Sequence, residues 1–179
     1  MTQIAVNYAQ ALYDLAAEEG LSEQLLHQLQ ILQESFLEEP GFVCLLNAPN
    51  ISKQERCAIV DESFCGKVHP YVLNFLKILT EKGYARHFSD CCKVFEERYN
   101  EDNGILPVWA VTAVALTQAQ SEQLTQKLQT ITGKTVKLHN TVEPACLGGV
   151  RLRYDGKQLD GTVKSRMDAI GDMLKNTVL

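Results

Sequence analysis

The sequence predicts an α+β chain of two domains, a six-helix bundle over residues 1–104 followed by a small α/β domain over residues 105–179. Three observations predict it. As far as Gly104, apolar residues recur at three- and four-residue spacing, the period of an amphipathic helix. Past Ile105, β-branched and aromatic residues gather, and short alternating runs between turn residues replace the helical stripes. Charge divides at the same place: residues 1–104 hold 8 Lys+Arg against 16 Asp+Glu, and residues 105–179 hold 9 against 6.

Helix one carries Ile4, Tyr8, Ala11, Leu12 and Leu15, and Gly20 supplies its stop. Ser22 is placed to cap a second helix with the stripe Leu25, Leu29, Leu32 and Phe36, ending before Pro40. The short apolar piece "FVCLL" is the third element, and "NAPN" is a turn cluster. In "SKQE", the Ser52 hydroxyl and the Glu55 carboxylate can each satisfy a free N–H of a starting helix that carries Ile59, Val60 and Phe64. Pro70 opens the fifth helix, since its missing N–H costs nothing in a first turn, and Gly83 closes it. A sixth has Phe88, Cys92, Phe95 and Tyr99 on one face and stops at Asn103-Gly104. Six short helices with brief connections make a bundle.

Beyond the boundary, "ILPVWAVTAVAL" reads as a strand and "TQAQ" as a second capping box, with Leu124, Leu128 and Ile131 along the helix behind it. "TVKLHN" and "GVRLRY" alternate, placing Val136 and Leu138, then Val150, Leu152 and Tyr154, on single faces. Asp155-Gly156 is a favoured two-residue hairpin turn. From Thr162 a last helix presents Val163, Met167, Ile170 and Leu174.

Hydrophobic content of 45% and charged content of 22% are ordinary for a globular protein, and no run approaches the 18 or so apolar residues of a membrane span. The amino-terminal stretch lacks a basic region ahead of an apolar block, so a cytoplasmic location is expected. The six cysteines then read as reduced thiols serving as small core hydrophobes. The first Lys or Arg is Lys53, after seven acidic residues, a distribution that repels nucleic acid and anionic lipid and suits a basic protein partner; on composition alone, differently solvated surfaces of the two halves explain it better.

The chemistry-bearing motifs fail on spacing. Gly133-Lys134-Thr135 looks like the tail of a nucleotide-binding loop, but the required earlier glycine falls at Leu128. Its order is also helix, Gly133, strand, so a phosphate would meet the negative end of a helix dipole. Gly148-Gly149 leads into a strand with no third glycine or lysine at phosphate-loop spacing, and reads as a place where backbones approach closely. Cys65 with His69, and His87 with Cys91, are four apart, but no Cys-x-x-Cys exists and Gly66 and Pro70 disturb the first pair. No Gly-x-Ser-x-Gly elbow is present. No cofactor, metal or catalytic residue is assigned. The fifth helix is odd in bearing two apolar stripes: Val72, Leu76 and Leu79, and beside them Tyr71, Phe75 and Ile78. Helix one likewise sets Tyr8, Ala11 and Leu15 beside Ala9, Leu12 and Ala16. A second stripe either lies in a fully buried helix or awaits a partner helix.

"YAQALYDLA", "LLNAPNISKQER", "NFLKILTEKG", "VTAVALT" and above all "LGGVRLRYDGKQLDGTVKSRM" together carry a resemblance over essentially the whole length. The chain resembles the delta subunit of bacterial F-type ATP synthases, the family of the mitochondrial oligomycin-sensitivity-conferring protein. Two departures stand out: Tyr84 follows Gly83 with the arginine delayed to Arg86, and Glu143 stands where Asp is usual. The resemblance implies a non-catalytic stator subunit at the cytoplasmic face of the bacterial inner membrane, reaching the membrane only through the complex. It implies one copy per complex and a monomer when isolated, with no cofactor and no nucleic acid. It implies that residues 1–104 bind the N-terminal helix of an alpha subunit between helices one and five, with Tyr8, Ala11 and Leu15 facing Tyr71, Asn74 and Ile78. Residues 105–179 would bind the b subunits of the peripheral stalk. Gly148, Gly149, Asp160, Gly161 and Arg166 form the structural signature. The competing readings are a small cytoplasmic enzyme with Asp160 or His139 as base, and a helical adaptor unrelated to the synthase.

Overall fold

The computed structural model describes residues 2–48, 50–165 and 167. The chain forms two compact units, one ending at Tyr99 and the other starting at Asn100. Among the described residues the first is helical: α1 (Gln3–Glu18), α2 (Ser22–Glu38), α3 (Pro40–Leu46), α4 (Lys53–Phe64), α5 (Pro70–Glu81) and α6 (Phe88–Asp102), with a 3₁₀ turn at Ala85–His87. The second contains β1 (Ile105–Thr112), α7 (Gln118–Thr132), β2 (Thr135–Val142), β3 (Val150–Tyr154) and β4 (Lys157–Asp160). A helical N-terminal part is thus followed by a small mixed sheet.

Local chemistry sets the helix ends. Gly20 and Gly83, at φ +67° and +74°, close α1 and α5 in the same way. The following residue's N–H reaches back over the last turn, Leu21 to the Ala16 carbonyl and Tyr84 to the Leu79 carbonyl, so carbonyls left over at the helix end are satisfied. Ser52 and Glu55 form the expected reciprocal cap on α4, as do Thr117 and Gln120 on α7. Ser22 does not cap α2; it lies within the helix, whose preceding residue is Leu21 and whose start has no side-chain cap. At α5 the cap is His69, whose Nδ1 accepts the Tyr71 N–H at 3.3 Å.

The helical unit closes on one core. Leu25, Leu29 and Leu32 of α2, Val60 of α4, Val72, Leu76 and Leu79 of α5, and Phe88, Cys92 and Phe95 of α6 are all buried there. Tyr13 meets Phe95 edge-on with centroids 5.2 Å apart. Each fully buried Leu or Phe contributes roughly 2 kcal/mol of transfer free energy. Cys91, Cys92 and Cys146 are buried, but Cys44 and Cys65 are exposed and Cys57 half-buried, which corrects the expectation of six core thiols. Cys44 rides on a seven-residue helix that buries only Leu46, and Cys65 stands at the end of α4, so neither reaches the interior.

In the second unit the strand order is β2-β1-β3-β4. β1 runs parallel to β2, the chain crossing through α7, and antiparallel to β3. Strand alternation sends Leu106, Val108 and Ala110 to one face, where they pack with Leu128 of α7, Val136 and Leu152. Ile131 does not join them and is 79% exposed. β1 ends at Thr112 rather than running on to Leu116, because the Thr112 hydroxyl donates to the Val114 carbonyl and the Leu116 N–H to Asn140. Asp155 and Gly156, both at positive φ, make the two-residue turn joining β3 to β4.

Candidate functional site

α1 and α5 each bury one stripe and leave another outside. On α1 the core takes Ala5, Ala9, Leu12, Tyr13 and Ala16. Tyr8 is half-buried, and Ala11 and Leu15 are exposed. On α5 the core takes Val72, Phe75, Leu76, Leu79 and Thr80, while Tyr71 is half-buried and Asn74 and Ile78 are exposed. Phe75 therefore belongs to the inner stripe, contrary to its expected pairing with Tyr71 and Ile78. It stands three residues from Val72 and four from Leu79, so one turn of helix carries it inward. Leu15 and Ile78 keep 48% and 43% of their surface in water, on helices already anchored by their other faces.

Tyr8 and Tyr84 join the two helices' neighbourhoods, their ring centroids 6.1 Å apart. The Gly83 stop places Tyr84 there, and no sequence period would have found it. Tyr71 packs against His69, the residue that caps its own helix. Tyr8 and Tyr71 are rigid rings with polar tips.

The glycine-rich block of the second unit is a structural pin. The Gly161 N–H donates to the Val150 carbonyl at 2.9 Å and the Val163 N–H to the Gly148 carbonyl at 3.0 Å, tying the end of β4 to the start of β3. Asp160 accepts from the Thr162 N–H at 3.0 Å, the Thr162 hydroxyl at 2.7 Å and Arg151 Nε at 3.0 Å. The Thr162 hydroxyl, Thr162 N–H and Arg151 hold the Asp160 carboxyl below the usual carboxylate range, and all three are structural partners within the hairpin. Thr162 itself is fully buried, and its hydroxyl accepts the Ser165 N–H, capping the helical turn that follows. Arg166 lies outside the described residues, as do Ile170 and Leu174. Val163 and Met167 are 44% and 58% exposed.

His139, the other candidate base, lies stacked on Trp109 with centroids 5.8 Å apart and planes 19° from parallel. Alternation within β1 points Trp109 away from buried Val108 and Ala110. Among the described residues, no group of three or more His, Cys, Asp or Glu is placed to hold a metal. His69, four residues from Cys65, caps α5 through its Nδ1.

Comparison with known proteins bears on what these surfaces serve. Residues 4–174 match the family model described as ATP synthase delta (OSCP) subunit. The ATP synthase subunit delta of Clostridioides difficile (strain 630) is 30% identical over 176 residues, covering 98% of this chain and 97% of that protein. That of Symbiobacterium thermophilum is 30% identical over 171 residues, covering 96% and 92%. A chain in a cryo-EM structure of the Toxoplasma gondii mitochondrial ATP synthase hexamer shares the fold at TM-score 0.75, with 18% identity over 97% of this chain and 98% of that one.

Proposed function

The chain belongs to the ATP synthase delta (OSCP) family, and from that premise we propose how its two units divide the work. It is a non-catalytic subunit of the synthase, a component of the stator with the peripheral stalk. Among the described residues no helix is long and apolar enough to cross a membrane. In our reading it sits at the cytoplasmic face of the bacterial inner membrane, one copy per complex, and is a monomer when isolated.

The helical unit acts as a six-helix bundle that grips the N-terminal helix of an alpha subunit, while the sheet unit holds the b subunits of the stalk. The observation that carries this reading is the pair of outward stripes, Tyr8, Ala11 and Leu15 on α1 and Tyr71, Asn74 and Ile78 on α5. Their exposed aliphatic carbons have no covering element of their own among the described residues. Burying what Leu15 and Ile78 leave open would contribute about 1 kcal/mol each, with the two tyrosine rings adding anchors that lose little entropy. The acidic helices beside them, with seven carboxylates before the first basic residue, favour a partner segment carrying positive charge.

The test is calorimetry of the full chain with a peptide of the alpha subunit's N-terminal segment from the same genome. Wild type should bind; Ala11→Asp and Ile78→Asp should each weaken binding by about 2 kcal/mol or more, since each buries a charge without a counter-charge. Equal affinity in both variants would remove the stripes from the site.

A further inference from the structure

We propose that the cavity between α2, α3 and the start of α6 binds a small anionic amphiphile, a short apolar chain ending in a carboxylate. None of its lining residues belongs to α1 or α5, so the proposal is independent of the outward stripes on those helices. The Phe36 ring of α2 and the buried Phe88 ring of α6 lie 4.9 Å apart and floor the cavity. α3 follows α2 after Glu39 alone and buries only Leu46, so its Val43 and Cys44 form a wall and do not close over the last turn of α2. Leu37 in that turn consequently stays 70% exposed. The cavity holds about 290 Å³. A single turn of helix, roughly 10 Å across and 5.4 Å long, fills roughly 420 Å³, so the space admits one short chain or ring and not a helix.

Charge sets the head group. Arg86, in the 3₁₀ turn, is the one charged side chain of the lining. Its Nε donates to His87 Nε2 at 3.3 Å, and it forms no ion pair among the described residues, which leaves its terminal nitrogens to find another acceptor. Three residues on, the Ser89 hydroxyl accepts from the Gln33 amide at 3.0 Å and keeps its own proton for a further bond. A carboxylate accepts from both Arg86 and Ser89 while its apolar chain covers Phe36 and Phe88. Glu34, Glu38 and Glu39 are exposed and outside the lining, where solvent and salt screen them. A neutral amphiphile gains the apolar contact alone, and a cationic one is opposed by Arg86.

Octanoate is the probe, and Cys44, exposed on the cavity wall, is the reporter. The full chain is treated at pH 8 with a disulfide reagent, with and without octanoate below its micellar concentration, and labelling rates are read by peptide mapping. Octanoate should slow Cys44 and leave Cys65, exposed but outside the lining, unchanged. Octanol in place of octanoate, or Arg86→Gln in place of wild type, should raise the half-protecting concentration by about fivefold or more. Leu37→Glu, at a side chain already in water, sets a carboxylate on the wall and should abolish protection without unfolding the chain. Equal protection by octanol and octanoate, or by octanoate in Arg86→Gln and wild type, would overturn recognition of the carboxylate. Unslowed labelling of Cys44 in wild type would overturn the site itself. Cys44 shielded in the assembled synthase with no octanoate added would give the cavity to a neighbouring subunit, and would overturn the proposal equally.

Discussion

The space that a β-carbon on residue 149 would occupy is taken by the carbonyl oxygen of Gly161. Two backbones from either end of the β3–β4 hairpin thus meet where no side chain fits, and Gly149 also holds φ +80°, a region disfavoured for other residues. Gly149→Ala combines both penalties and should cost about 3 kcal/mol or more in denaturant unfolding. Gly20 has a similar φ of +67° but open space around it, so Gly20→Ala should cost only about 1 kcal/mol. Equal losses would mean that strain in φ, and not the approach of Gly161, governs the hairpin.

Asp160 makes the same hairpin sensitive to acid. The Thr162 hydroxyl, the Thr162 N–H and Arg151 favour its charged form, so its folded pKa lies below the ordinary value of 3.8. A depressed carboxyl contributes its full stabilisation above the unfolded pKa and loses it as pH falls through the folded one. Unfolding midpoints followed downward from pH 5 should therefore decline more steeply in wild type than in Asp160→Asn, with the difference between them closing at the lowest pH. Parallel curves would show that the carboxylate's charge is not what Thr162 and Arg151 recognise.

What was legible in the sequence was local. Ser52 with Glu55, Thr117 with Gln120, Gly83 and Asp155-Gly156 each act on backbone within a few residues, so their patterns survive without knowledge of the rest. What was not legible depended on choosing between nearly equal faces. Helix one carries two adjoining apolar stripes, and only the packed core shows that Ala9 and Leu12 turn inward while Ala11 and Leu15 do not. Phe75 was misread for the same reason, lying at the angular edge between two stripes. The exposed thiols escaped notice because apolar neighbours in "FVCLL" say nothing of how little of a seven-residue helix touches a core. The outward turn of Trp109 follows from the alternation of β1, whereas the apolar run to Leu116 does not show that the strand stops at Thr112.

Thiol chemistry should sort the cysteines by their place in the fold. Burial, helped by the charge of Asp90, pushes the Cys91 thiol up to about 12, and burial raises Cys92 further. Cys44 and Cys65 lie at the surface. A disulfide reagent applied at pH 8 with peptide mapping should label Cys44 and Cys65 first and Cys57 more slowly. Cys91, Cys92 and Cys146 should react only in denaturant. Early labelling of Cys92 would contradict the packing of α6 against α2, where its thiol faces the Leu29 carbonyl.

Phe75 and Ile78 separate stability from binding on a single helix. Phe75 is 5% exposed, touching the core and lying 6.4 Å from the Phe88 ring, whereas Ile78, one turn on, is 43% exposed. Phe75→Ala opens a cavity among residues that cannot fully collapse, and should cost about 3 to 4 kcal/mol of unfolding free energy. Ile78→Ala gives up mostly solvent-facing carbons and should cost less than about 1 kcal/mol. Against the alpha-subunit peptide the order should reverse. Ile78→Ala lowers affinity, while Phe75→Ala, measured well below its melting temperature, binds at near wild-type strength. If both lose stability alike, Ile78 belongs to the core and α5 has no second stripe to offer. If Ile78→Ala keeps both stability and affinity, the exposed aliphatic surface on α5 serves no partner at that position, and the site must be sought along α1 alone.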